Sequence, residues 1–135
     1  MDMISFHTKC PEIAEKELRY IVVKNHKSLM PGKYFLLESY CNDSKCDCRR
    51  VFINLVYNNK ILATIGYGWE DLKFYEKWIG EHKLASYVKG PTLEIGGFQT
   101  KYSDALLKLF KKNILKDRGY IELLKRHYKL FKRRC

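Results

Sequence analysis

The sequence lacks long hydrophobic runs and has only three prolines among its 135 residues. No stretch approaches the roughly 20 apolar residues that a membrane-spanning helix needs, and the first ten residues contain no apolar core of a signal peptide. We therefore expect a cytoplasmic protein without a membrane partner. No proline- or glycine-rich linker and no internal repeat divides the chain, so residues 1–135 are expected to form a single domain.

Common catalytic and nucleic-acid-binding motifs are also missing. The sequence contains no Walker A pattern, no H-E-x-x-H, no G-x-S-x-G and no deaminase pair of H-x-E with P-C-x-x-C. Signatures of helix-turn-helix, C2H2, RRM and KH modules are absent as well. We therefore expect a protein without a catalytic role, and any nucleic-acid binding should show little base specificity.

Three of the five cysteines lie close together in the sequence. Cys41, Cys46 and Cys48 form a C-x4-C-x-C pattern between two strand-like segments. An odd number of cysteines in a reducing compartment favours metal ligands or free thiols over a disulfide framework. Soft thiolate ligands at this spacing suit Zn²⁺, which takes four ligands in a structural site. The sequence thus predicts a zinc site with a structural role.

The fourth zinc ligand lies outside the cysteine loop. His127 is the first candidate, because it lies beside the apolar stripe of the last predicted helix and can point inward. A histidine in that setting is also typical of a hydrogen-bonded core residue. Cys10 and His7, spaced H-x2-C, are the competing ligands. The sequence leaves these alternatives open.

Charged residues near the loop suggest further roles. Arg49 and Arg50 are expected to offset the negative charge of a zinc–thiolate centre, although one could instead contact phosphate or pair with Glu38. Glu38 has a spacing that also fits an acid or base beside an open zinc position, which gives a zinc-dependent hydrolase as one alternative. A thiol redox protein using Cys46 and Cys48 is another.

The pattern of β-branched and aromatic residues predicts three strands. These strands cover residues 33–40, 51–57 and 61–67, and Asn58-Asn59 suits a two-residue hairpin turn between the last two. They are expected to form an antiparallel meander. The cysteine loop then connects its first and second strands, which places the zinc site in a strand-connecting loop.

Helical periodicity predicts helices on both sides of these strands in the sequence. We expect one helix over residues 11–23, another over 69–79, and two C-terminal helices that begin at Ser103 and are interrupted at Asp117 or the nearby glycine. Residues 81–99 are expected to be irregular. The predicted fold class is α+β, a small three-stranded antiparallel meander packed with N-terminal and C-terminal helices.

The net charge of +11 is concentrated near the C-terminus. Residues 101–135 hold twelve Lys and Arg residues against three acidic residues, which gives +9 for this segment. Such a segment can bind phosphates, although solvated lysines on helices are also common. The predicted nucleic-acid-binding residues are Lys108, Lys111, Lys112, Lys125, Arg126, Lys129, Arg133 and Arg134.

These observations together predict a zinc-stabilised, basic, non-catalytic module that binds nucleic acid or another polyanion. A protein-interaction module for an acidic partner surface is the alternative. The order Y-C-x4-C-D-C-R-R, A-T-I-G-Y-G and R-H-Y resembles a family of uncharacterised bacterial proteins, and the resemblance covers most of the chain. It implies no activity, so the functional prediction rests on the residues themselves.

Overall fold

The computed structural model describes residues 2–133, which form a six-stranded antiparallel sheet with helices packed against it. The strands are β1 (Met3–Ser5), β2 (Arg19–Val23), β3 (Gly32–Cys41), β4 (Arg50–Tyr57), β5 (Lys60–Gly68) and β6 (Thr92–Leu93). The strand order is β1-β3-β4-β5-β6. β2 pairs with the other half of the β3 edge that β1 occupies.

The predicted combination of helices with an antiparallel sheet is confirmed, and the cysteine loop lies between two of its strands. The three predicted strands correspond to β3, β4 and β5, which are consecutive neighbours. Asn58 and Asn59 both have positive φ, as the tight turn between β4 and β5 requires. The predicted size of the sheet was wrong, because β1, β2 and β6 extend the meander on both sides.

Seven helical segments complete the described part of the chain. They are α1 (Phe6–Lys9), α2 (Pro11–Lys16), α3 (Leu72–Ile79), α4 (His82–Lys89), α5 (Ser103–Leu109), a π-helical turn (Phe110–Ile114) and α6 (Arg118–Lys132). Asp117 caps α6 by accepting a hydrogen bond from the backbone N–H of Tyr120. None of the helices within residues 2–133 combines the length and apolar character needed to cross a membrane.

Two predictions of secondary structure need correction. The helix predicted over residues 11–23 ends at Lys16, because Arg19–Val23 pairs with β3 instead. This segment is rich in β-branched residues, which favour a pleated strand over a helix. Residues 81–99 are not irregular throughout, since they contain α4 and the short strand β6.

The core lies between one face of the sheet and helices α5 and α6. Tyr34 and Leu36 of β3 point to this inner face and are buried, as are Phe110 and Leu124 from the helical layer. The opposite, outer face of β3 and β4 carries residues that are only half-buried. The sheet therefore presents two different faces, and the cysteine loop lies at one end of it.

Candidate metal centre and its surroundings

The cysteine loop brings three thiols together. Cys41 is the last residue of β3, and Cys46 and Cys48 lie in the loop that leads to β4. The three Sγ atoms lie within 4.8 Å of one another, and the group can hold a metal ion. Cys41 and Cys48 are fully buried, whereas Cys46 is half-buried. One corner of the site therefore lies near the surface.

Local hydrogen bonds fold the loop so that Cys46 turns back toward Cys41. The backbone carbonyl of Asp43 accepts a 3.1 Å hydrogen bond from the N–H of Cys46. The side chain of Asp43 accepts a 2.9 Å bond from the N–H of Lys45, which is the geometry of an Asx-turn. Asp43 thus forms the turn, as its sequence context indicates, and its side chain is engaged there.

The thiols influence one another electrostatically. Burial raises the pKa of Cys46 to about 12, and the neighbouring Cys48 and Cys41 thiols add to this effect. Burial also raises the pKa of Cys48, although a hydrogen bond from the Arg50 backbone opposes the change. Binding of a metal ion must therefore displace protons from the thiols. A redox-active thiol needs a lowered pKa, so the arrangement does not favour the redox alternative.

The two arginines after the loop pair with carboxylates other than Glu38. The Arg49 guanidinium lies 2.8 Å from Asp47 and 3.4 Å from Glu70. Arg50 forms a buried 2.8 Å ion pair with Glu94. The suggested pair between an arginine and Glu38 is therefore absent from the described residues, and both guanidinium groups are held by other acids.

A cation that the sequence did not single out also contacts the cysteine loop. Lys132, near the end of α6, donates hydrogen bonds to the backbone carbonyls of Cys41 at 2.8 Å and Asp43 at 2.9 Å. Its charge also opposes the rise in the pKa of Cys48 that burial causes. Because Lys132 lies 84 residues beyond Cys48 in the chain, no local spacing pattern could reveal this contact.

His127 occupies a different site from the one predicted. Its Nδ1 lies 2.6 Å from Oε1 of Glu38, and its Nε2 lies 2.7 Å from Oε1 of Glu17. The ring is buried and stacks on Phe6 with 4.3 Å between the ring centroids. The prediction that His127 is the fourth ligand needs correction. Both of its ring nitrogens contact carboxylates, and His127 is not part of the thiol cluster.

This histidine links three parts of the fold. Burial works against the charged ring, but the hydrogen bonds and charges of Glu38 and Glu17 outweigh it, so the pKa of His127 is raised. The hydrogen bond from His127 lowers the pKa of Glu17. Glu17 follows α2, Glu38 lies on β3 and His127 on α6, so one charged cluster joins the N-terminal helices, the sheet and the last helix.

Glu38 does not fit the acid–base role considered in the hydrolase alternative. Its Oε1 accepts a 2.6 Å hydrogen bond from the buried Tyr40 hydroxyl in addition to its contact with His127. The side chain is 5% exposed. A carboxylate that is buried and already has two partners is part of a structural network rather than a proton donor or acceptor beside the cysteine loop.

The two competing candidates for the fourth ligand also lie outside the thiol cluster. Cys10 is buried and disulfide-bonded, so it provides no thiolate, and it departs from the expected pattern of free thiols. Nε2 of His7 lies 3.7 Å from Glu15. Its buried Nδ1 has no hydrogen-bond partner among the described residues. Within residues 2–133, the cluster therefore contains three ligand residues.

The predicted nucleic-acid-binding residues fall into two groups. Lys125, Arg126 and Lys129 line a cleft of about 650 Å³ between α6 and the cysteine loop. Lys125 lies 3.4 Å from Glu122, and Arg126 lies 2.8 Å from Glu17, so acids compensate both cations. The cleft wall contains four cations and three acids, or +1 overall. Arg133 is exposed near this group, and Arg134 lies outside the described residues.

A second group of cations lines a more strongly basic groove. Lys27, Lys101, Lys108 and Lys112 surround a cavity of about 630 Å³ between the loop after β2 and α5, and we call it the lysine groove. Asp104 is the one acid in its wall, so the lining carries +3. Within residues 2–133, none of the four lysines forms an ion pair. Lys111 is exposed on the π-helical turn but does not line this cavity.

The lysine groove continues into a neighbouring cavity. That cavity, of about 490 Å³, shares Lys27 and Lys101 with the first and also contains Tyr102. The sequence did not predict Lys27 or Lys101, because Lys27 lies far from the basic C-terminal segment and Lys101 precedes the predicted helix. Only the tertiary structure brings them together with Lys108 and Lys112.

Comparison of the chain with protein-family models, with curated proteins and with solved structures finds no match. The resemblance to uncharacterised bacterial proteins therefore stays a prediction. The geometry of the thiol cluster and of the lysine groove is therefore the evidence that bears on function.

Proposed function

We propose that the chain is a zinc-stabilised, non-catalytic module that binds polyanions, nucleic acid above all, in the lysine groove. The observation that carries this proposal is the convergence of four lysines without carboxylate partners among the described residues on one groove. The thiol cluster contributes by stabilising the fold rather than by catalysis.

The chemistry of the donor atoms supports zinc as the metal. Three cysteine sulfurs are soft ligands, which favour Zn²⁺ over hard cations such as Mg²⁺ and Ca²⁺. The loop between Cys41 and Arg50 contains no regular secondary structure, and it joins two adjacent strands. A metal ion held by Cys41, Cys46 and Cys48 would hold β3 and β4 together at this end of the sheet. This is a structural role.

The charge of the lysine groove supports a phosphate ligand. Lysines without nearby acids can each neutralise a phosphate and release condensed counterions, and this release provides most of the affinity in non-specific nucleic-acid binding. Tyr102, in the adjoining cavity, offers an aromatic ring against which a base can stack. A single strand can use both features, because its bases are accessible.

The lysine groove changes which of the predicted residues should contribute most to phosphate binding. Lys108 and Lys112 remain central, and Lys27 and Lys101 join them. Lys125 and Arg126 on α6 should contribute less, because a bound phosphate would have to compete with Glu122 and Glu17. Lys111, Lys129 and Arg133 would add only long-range attraction. Mutations in the two groups therefore distinguish the two surfaces.

We expect the wild-type protein to bind single-stranded oligonucleotides with a strong dependence on salt. If the four groove lysines each contact a phosphate, affinity should fall roughly 50-fold between about 50 and 200 mM salt, from a slope of about −0.7 per contact. The double variant K108E/K112E should lose at least tenfold in affinity at low salt. Fluorescence anisotropy over a salt series measures both effects.

The matched control is K73E/K77E, which makes the same change in net charge on α3, where both lysines are exposed. It should bind almost as well as the wild type. The variant K125E/K129E tests the cleft beside α6. Equal losses in all three variants would show that only net charge matters, and absence of binding to DNA and RNA at low salt would leave the protein-interaction alternative.

A further inference from the structure

The outer face of the sheet carries an apolar patch that the proposed function does not use. In β2, β3 and β4, paired residues lie on the same face, so Tyr20, Phe35 and Val56 form a row across the three strands. Rings of Tyr20 and Phe35 are in contact, with centroids 5.7 Å apart. We define the outer patch as Tyr20, Val22, Phe35, Leu37, Phe52 and Val56.

The composition of the outer patch departs from that of a solvated sheet face. An antiparallel sheet with one face in solvent normally alternates apolar inward residues with polar outward residues. In β3, however, Phe35 and Leu37 alternate with the buried Tyr34 and Leu36. The outward-facing Phe35 and Leu37 do not belong to the core cluster or to the half-buried residues that pack against it. Apolar side chains therefore occupy both faces of the strand.

We propose that the outer patch is the contact surface of a homodimer, in which the sheets of two copies of this chain pack face to face. Two identical twisted sheets pack well with their strands nearly aligned, and an isologous contact uses the same patch on both copies. The partner that an uncharged apolar sheet face complements best is another such face, and each copy supplies one.

The distribution of charge supports a second copy as the partner. The chain carries a net charge of +11, so two copies repel each other through most of their surface. The outer patch contains no Asp, Glu, Lys, Arg or His. The Lys33 ammonium at its margin lies over the ring of Tyr20, 4.7 Å from the ring centroid. A polyanion or an acidic protein would instead choose the lysine groove. The outer patch is thus where two basic copies can approach with least repulsion.

The size of the patch indicates a weak dimer. Tyr20 is 48% exposed and Val22 is 52% exposed, and the neighbouring Phe98, whose N–H binds Thr64 on the same face, is 60% exposed. With about 200 Å² for an aromatic side chain, Tyr20 and Phe98 each expose about 100 Å². The outer patch together with Phe98 then offers roughly 400–500 Å² per copy. The pair would bury about 800–1,000 Å², just below the range of stable specific interfaces.

This dimer would leave the lysine grooves accessible. Helix α5, which carries Lys108, packs on the inner face of the sheet through Leu106, and Phe110 of the π-helical turn follows it into the core. The groove and the outer patch therefore lie on opposite sides of the sheet. Two grooves on one dimer would raise affinity for a long polyanion through effective concentration.

Sedimentation equilibrium over a range of protein concentrations tests the dimer without any ligand. The wild type should pass from monomer to dimer with a dissociation constant in the micromolar range. The variant V22D, which places a charge at an exposed patch position, should weaken the dimer at least tenfold. The control L84D changes a side chain of similar exposure, 50%, on α4 and should dimerise like the wild type.

A wild-type protein that stays monomeric up to about millimolar concentration would overturn the proposal. Equal weakening in V22D and L84D would also overturn it, because the effect would then come from net charge. Binding of the wild-type monomer, but not V22D, to phosphatidylcholine vesicles would assign the patch to a lipid surface instead. Circular dichroism of both variants checks that each remains folded.

Discussion

The variant Cys48→Ser is expected to lose its metal and most of its stability. Cys48 is fully buried, and its Sγ is one of three that lie within 4.8 Å of one another. Structural zinc contributes about 10–16 kcal/mol in zinc-finger peptides, as much as the total stability of about 5–15 kcal/mol of a typical domain. Loss of one thiolate should remove most of this contribution. Elemental analysis and thermal unfolding measure the two effects.

The matched control for this experiment is Ser44→Ala, an exposed change in the same loop that leaves every thiol in place. It should retain about one equivalent of zinc and unfold like the wild type. A chelator should lower the unfolding temperature of the wild type and of Ser44→Ala but have little effect on Cys48→Ser. Wild-type protein prepared under reducing, chelator-free conditions that holds no metal would contradict the zinc proposal.

The thiol cluster could be predicted from the sequence because its members are close in the chain. Cys41, Cys46 and Cys48 span eight residues, so one turn at Asp43 is enough to bring their sulfurs together. Residue type and spacing were therefore enough to predict that these three thiols lie together. The identity of the bound metal stays a prediction that elemental analysis must test.

The cluster around His127 could be predicted only in part. The apolar stripe of the last helix correctly indicated that His127 points inward, and a hydrogen-bonded core histidine was one of the alternatives considered. Its partners lie 89 and 110 residues away in the sequence, at Glu38 and Glu17. Such pairings depend on how α6 crosses the sheet, and no local pattern specifies that crossing.

Strand β2 shows how a tertiary contact can override local periodicity. Leu18, Ile21 and Val22 recur at helical spacing, which favoured a continuous first helix. All five residues of Arg19–Val23 pair with the edge of β3, and this pairing outweighs a weak helical preference. The outer patch was missed for the same reason, because Tyr20 and Val22 join the sheet only when this segment is a strand.

The variant His127→Leu should destabilise the fold strongly while leaving the metal site intact. Removing the ring leaves the buried carboxylate of Glu38 without its cationic partner, and breaking a buried ion pair in this way typically costs about 3–5 kcal/mol. The fourth-ligand prediction, in contrast, required a loss of metal affinity. Denaturant unfolding at fixed pH, together with elemental analysis, separates these outcomes.

The pH dependence of stability identifies the histidine charge as the cause. The folded-state pKa of His127 lies above its usual value of 6.5, so its contribution is complete below pH 6.5 and is lost as the pH rises through the folded value. The pKa of Glu17 lies below its usual value of 4.5, so its contribution is lost as the pH falls below 4.5 through the folded value. Wild-type stability should therefore decline on the alkaline side of pH 6.5, and this decline should disappear in His127→Leu.

The control for this experiment is His82→Leu, which replaces an exposed histidine and should keep the wild-type profile. An alkaline decline that persists unchanged in His127→Leu would show that the charged cluster does not stabilise the fold in this way.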